Sequence, residues 1–178
     1  MKNRQLTKII VLACFTLAAV ASAEVNLGFN GVGGHIGLAM PEGSIGNPIA
    51  FGANFDFGTL MDNLHLTGLA SYWSKGWAEG FSTSSLTIAA IAQYFFGDPG
   101  AQILPFAGAG LGLNITSTTV EWFGEKSSSS ATDLGIHLQG GIHYVLSEAM
   151  KLMAYAQYSL SGWDYFGIYG GLLFNLNK

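Results

Sequence analysis

Charge is scarce in this chain, cysteine is nearly absent, and arginine occurs once. Only 10% of the 178 residues are charged. The single cysteine, Cys14, sits near the start, so residues beyond 23 have no disulfide framework and no thiol chemistry. Arg4 is the lone arginine; beyond residue 23 there are 4 lysines against 11 acidic residues, a formal balance of 4 − 11 = −7. That sign argues against a nucleic-acid partner. Long apolar runs are also missing past residue 23. Pro105 and several glycines interrupt the best stretch, 103–113, so no membrane-crossing helix is expected.

The first residues have a processing pattern. Lys2, Arg4 and Lys8 precede an apolar run over 9–20, and Ala21-Ser22-Ala23 is a small-x-small cleavage site. Residues 1–23 are read as a signal peptide and 24–178 as one barrel domain, with Glu24 first in the mature chain. Leu12-Ala13-Cys14 loosely matches a lipidation site, but the apolar run continues past it, which favours cleavage after Ala23.

What remains alternates. In 134–144, Leu134, Ile136, Leu138, Ile142 and Tyr144 share one parity; Gly135, His137, Gln139, Gly141 and His143 share the other. A strand sends these to opposite faces. The pattern recurs over approximately 29–40, 49–60, 64–73, 84–96, 102–115, 133–144, 150–160 and 166–176. Short connections (61–63, 97–101, 146–149) alternate with longer ones (41–48, 74–83, 116–132); 161–165 is short where a long one is expected. The fold class read from this is all-β: an eight-stranded antiparallel up-and-down transmembrane β-barrel behind a cleaved signal peptide.

Alternation also fits a soluble lipocalin-like binder with its apolar residues inside. Charge separates the two. Asp56 is the only charged residue well inside a predicted strand, whereas a watered barrel face carries many Lys and Glu. The apolar face is therefore expected to meet lipid, with Ser, Thr, Asn, Gln and His in the lumen. Aromatic residues near the strand ends, with all four tryptophans toward the external end, suit two interfacial girdles.

Pro105-Phe106-Ala107-Gly108-Ala109-Gly110-Leu111-Gly112, the preceding Ala92-Gln93-Tyr94-Phe95-Phe96-Gly97, and Gly140-Gly141-Ile142-His143-Tyr144 followed by 152–158 resemble the family of small bacterial outer-membrane β-barrel proteins. That family includes outer membrane protein X and the barrel of outer membrane protein A. The resemblance covers the whole mature chain and implies a cell outer membrane location. Partners implied with it are outer-membrane lipid, lipopolysaccharide and, during insertion, the barrel-assembly machinery. The family's C-terminal assembly signal maps onto Gly171, Phe174 and Leu176, although Asn177-Lys178 trail it and no aromatic ends the chain. Lipid A-modifying enzymes also use this fold; the outward His-x-Ser pair of the deacylase type does not occur here.

Three further expectations concern sites. Asp56, His65 and His143 form an inward polar cluster, with an Asp56–His65 hydrogen bond, because a buried carboxylate needs a partner and no arginine is at hand. Gly108, Gly110 and Gly112 share one face and make lumen space for Tyr155 or Tyr169. Segment 116–132 is the longest external loop, with Ser127–Ser130 as its flexible tip and Trp122 and Phe123 as contact anchors. No catalytic, metal or cofactor site is expected, and the chain is expected to be a monomer. The function read from all this is a structural or surface-interaction role. The alternative is a narrow porin-like channel, since eight strands leave a lumen that side chains nearly fill.

Overall fold

The computed structural model describes residues 25–43, 45–123 and 125–176. The predicted signal segment 1–23, with Cys14 and the predicted first mature residue Glu24, lies outside the described residues, as do Asn177 and Lys178.

The described residues form eight strands: β1 (Asn26–Pro41), β2 (Ile49–Met61), β3 (Leu64–Ala78), β4 (Phe81–Phe95), β5 (Ile103–Trp122), β6 (Glu125–Ser147), β7 (Met150–Leu160) and β8 (Tyr165–Asn175). Each pairs antiparallel with its sequence neighbour. β8 also pairs with β1, from Gly31 opposite Asn175 to Pro41 opposite Tyr165, which closes the barrel. Closure leaves no backbone edge within the ring to be solvated, a condition for any sheet that lies in lipid.

The period of two produces an inverted protein. Leu134 is 71% exposed, and Ile36, Phe51, Ile88, Leu111 and Ile168 are each more than half exposed. His35, Asn54, Gln93, His137, Gln139 and Gln157 are buried. No helix among the described residues is long and apolar enough to cross a membrane; the apolar belt of the strands takes that part.

The hairpins differ from the sequence expectation in length. Residues 74–83 and 116–132 are not loops. β3 and β4 run on to residues 78 and 81, and β5 and β6 run on until only residues 123–124 separate them. Segment 127–130, expected as a flexible tip, is paired strand: Ser130 faces Ser117, Ser129 faces Thr118, Ser128 faces Thr119 and Ser127 faces Val120. Cross-strand hydroxyls hold it, Ser117 to Ser130 at 2.7 Å and Thr119 to Ser128 at 3.1 Å. A run of serines signals a loop by composition; opposite a β-branched Thr-Thr-Val run it makes a ladder.

Trp73, assigned to the external girdle from its position, instead points inward and is 3% exposed. Its parity, shared with Ser71, outweighs its nearness to the strand's external half. One bulge needs glycine. The β2–β3 register shifts between Asp56 and Thr59, Gly58 adopts φ +93°, and its N–H donates to Asp56 Oδ1 at 2.8 Å. That left-handed conformation suits a residue without Cβ.

Candidate functional site

The lumen is built in rows by the register. Gln93 on β4 faces Gly108 on β5, which faces Gln139 on β6, which faces Gln157 on β7. Because Gly108 has no side chain, Gln93 Nε2 reaches over it to Gln139 Oε1 at 2.9 Å, and Gln139 Nε2 donates to Gln157 Oε1 at 2.8 Å. Gln157 Nε2 then donates to the Tyr165 hydroxyl at 3.0 Å. That hydroxyl lies 3.1 Å from Thr87 Oγ1, which donates to Asn114 Oδ1 at 2.7 Å. Tyr165 is on β8 and Thr87 on β4, opposite staves of the ring. The hydrogen bonds therefore cross the lumen from wall to wall.

The same device recurs beside it. His35 on β1 faces Gly52 on β2, which faces Ser71 on β3. His35 Nδ1 donates to Asn54 Oδ1 at 2.5 Å, leaving Nε2 to accept from Ser71 Oγ at 3.2 Å, above Gly52. Tyr155 and Tyr169 stack with centroids 5.1 Å apart, and His35 packs edge-on to both. Trp73, Met153, Phe106 and Leu173 belong to the same buried cluster.

The β5 glycines therefore make room for other side chains than expected. A Cβ at Gly108 would meet Gln93 and Ile91, and one at Gly110 would run into the Ala90 carbonyl and Ile91. They serve the neighbours on β4 and β6, including His137 opposite Gly110. Tyr155 packs where Gly141 lacks a Cβ, and Tyr169 where Gly37 and Gly167 do. Strand register decides this, and it was not legible in a single strand's parity.

Asp56, His65 and His143 lie toward the end of the barrel where the short turns are. His65 Nδ1 stands 3.8 Å from Asp56 Oδ1, an ion-pair distance rather than the hydrogen bond expected. His143 does not join them directly. Phe95 stands between, its ring 5.0 Å from His65 and 5.0 Å from His143, and Phe106 packs on both Phe95 and His143, at 5.7 and 5.1 Å. Of the expected assembly-signal residues, Gly171 faces His35 across β1, while Phe174 and Leu176 are about half exposed on the outer face. Among the described residues no group of three His, Cys, Asp or Glu side chains is placed to hold a metal.

The external rim holds the remaining features. Trp122 ends β5 and Phe123 follows at φ +50°, 96% exposed, with the two rings 5.8 Å apart edge to face. Glu79, Gly80 and Glu121 line a depression beside them. A second concavity, between the inward face of the β5–β6 hairpin and segment 161–164, was not anticipated. Asp133 and Trp163 meet there only because the hairpin stands upright beside the last loop.

No family model matches the chain, and no curated protein matches it. Solved structures do. Neisserial surface protein A superposes with a TM-score of 0.69 at 17% identity, over 85% of this chain and 100% of that one. The attachment invasion locus protein Ail of Yersinia pestis gives 0.57 at 14%, over 83% and 97%. The N-terminal β-barrel domain of Pseudomonas aeruginosa OprF gives 0.55 at 18%, over 84% and 99%. With the apolar belt outside and the polar rows inside, the chain has the fold of the small eight-stranded outer-membrane β-barrels, and that membrane is where such a surface belongs.

Proposed function

We propose that this protein is a non-enzymatic outer-membrane barrel whose external rim is a contact surface, anchored by Trp122 and Phe123. The observation that carries the reading is the hairpin tip. A phenylalanine at positive φ costs backbone energy on the order of 1–3 kcal/mol, yet its ring is turned wholly into solvent. Beyond its edge-to-face contact with the exposed Trp122, the ring packs on nothing in its own chain, and a partner's apolar socket would cover it. Glu79, Glu121 and Glu125 surround the tip, so the socket would be rimmed by basic groups; Lys126 is already paired with Glu121 at 3.3 Å.

The wall-to-wall hydrogen bonds favour contact over conduction, because a solute path would have to break the Gln93–Gln139–Gln157–Tyr165–Thr87 chain. Three of the four histidines are buried in the lumen, which supports contact over catalysis on a lipid substrate. Lipid and lipopolysaccharide bind the apolar belt in this reading, the barrel is a monomer, and Gly171, Phe174 and Leu176 are what the assembly machinery recognises.

The test combines two measurements on the refolded barrel. In planar bilayers it stays silent; discrete conductance steps would replace this reading with the channel. In a cell-surface binding assay, Trp122→Ala with Phe123→Ala abolishes attachment; undiminished attachment would overturn the anchor.

A further inference from the structure

The concavity beside segment 161–164 is separate from the hairpin tip and has different chemistry. Its volume is about 380 Å³, and its walls include Thr116 and Thr118 of β5, Ser129 and Asp133 of β6, and Gly162 with Trp163. Asn114 is buried in the lumen and directly faces Asp133, so Asp133, Thr116 and Thr118 lie on the inward face of the upright hairpin. The cavity opens into the mouth of the barrel and away from the surrounding lipid.

The wall is preorganised. Ser161 N–H donates to Asp164 Oδ1 at 2.9 Å, Ser161 Oγ donates to the Trp163 carbonyl at 2.7 Å, and Trp163 N–H donates back to Ser161 Oγ at 3.3 Å. Glu42 N–H donates to the Asp164 carbonyl at 3.1 Å, tying the first external segment to the last. The backbone of Trp163 is thus held in place while the residue remains 41% exposed. Asp133 is half-buried and its carboxylate makes no hydrogen bond among the described residues; a Cβ on Gly162 would strike that carboxylate, so the loop glycine lets it lie against the segment that carries Trp163.

An indole face, a carboxylate with unused acceptors and a row of hydroxyls form a set that recognises a polyol ring. The apolar C–H face of a sugar packs on the aromatic ring, and its hydroxyls donate to the carboxylate and exchange hydrogen bonds with Thr and Ser. The volume lies at the low end of the roughly 300–1,000 Å³ seen for small-ligand sites, which suits a mono- or disaccharide. No lysine lines the cavity, and Asp133 repels anions, so sulfated and phosphorylated sugars are excluded. We infer that the Asp133–Trp163 cavity binds the terminal neutral or amino sugar of a glycan presented from outside the cell.

The test uses the mature barrel refolded in a detergent without a sugar headgroup. Saturation-transfer NMR is run with methyl β-D-glucopyranoside, N-acetylglucosamine and, as the anionic control, sucrose octasulfate. Transfer is expected to at least one neutral sugar, insensitive to salt. Affinity should fall about tenfold in Trp163→Ala and in Asp133→Asn, a change of about 1.4 kcal/mol, and less in Thr118→Val. It should hold in Trp122→Ala, which removes the tip anchor and so separates this inference from the contact reading. Heat-dependent gel mobility shows that each variant has formed its barrel. Transfer to no neutral sugar, equal transfer in Trp163→Ala, or preference for sucrose octasulfate would overturn the inference. A last arm repeats the titration in phospholipid bilayers with and without lipopolysaccharide. Equal binding fits an external glycan; loss on adding lipopolysaccharide would show that the membrane's own sugars fill the cavity and would overturn the external source.

Discussion

Gln93 and Gln139 sit on strands that do not pair, yet their side-chain amides hydrogen-bond at 2.9 Å across Gly108 of the strand between them. His35 and Ser71 meet in the same way across Gly52. An inward glycine thus gives two flanking strands direct side-chain contact, adding a second set of bonds inside the backbone ladder. This explains why glycine is tolerated in strands where it would otherwise weaken pairing.

Inward and outward glycines should therefore respond differently to a methyl group. A Cβ at Gly110 would collide with the Ala90 carbonyl and Ile91, whereas one at Gly140, on the lipid face, meets only the Phe106 carbonyl at 3.9 Å. Gly110→Ala is expected to reduce the folded fraction severely, and Gly140→Ala to leave it unchanged. Heat-dependent gel mobility after refolding into vesicles measures both; equal folding yields would contradict the steric argument.

Tyr165→Phe removes the hydroxyl that joins Gln157 to Thr87. Gln157 Nε2 loses its acceptor, at a cost of about 1–3 kcal/mol for a buried group left unsatisfied, while Thr87 keeps its bond to Asn114. Urea titration in bilayers should show the loss, while the ring still fills the lumen and conductance stays absent. Tyr165→Ala removes the ring as well and is expected to admit ions; a silent Tyr165→Ala barrel would mean that other side chains suffice to block the path.

The outward face should penalise charge by depth. Leu138 is mid-strand on β6 and 45% exposed, so Leu138→Arg is expected to cost about 2–4 kcal/mol in bilayer unfolding. Trp122→Arg, at the hairpin tip, is expected to cost almost nothing. Equal penalties at the two positions would argue against a lipid belt around Leu138.

Segment 116–132 behaves differently as ribbon and as loop. With Ser127 to Ser130 paired to 117–120, its amides between the strands should exchange slowly with deuterium, and proteases added outside should not cut there. Rapid cleavage within 126–131 of the folded barrel would restore the loop.

The alternation of apolar and polar residues fixed strand number and sorted the side chains onto two faces, because side-chain direction in a strand depends only on parity and needs no knowledge of partners; the scarcity of charge within the strands then decided which face meets lipid. The inward placement of Gln93, Gln139, Gln157 and His143 was legible for that reason, and so was the clustering of Asp56 and His65 at one end; the glycines of β1 blurred the parity that would have placed His35. What parity cannot carry is register. Which inward side chains share a row depends on how adjacent strands slide against each other. Gly108 therefore turned out to serve two glutamines instead of a tyrosine, and Phe95 came to stand between His65 and His143. Composition misled where pairing outweighed it: four serines opposite a Thr-rich strand are a ladder. The Asp133–Trp163 cavity joins residues thirty positions apart on different hairpins, and only the upright stance of β5 and β6 beside segment 161–164 brings them together.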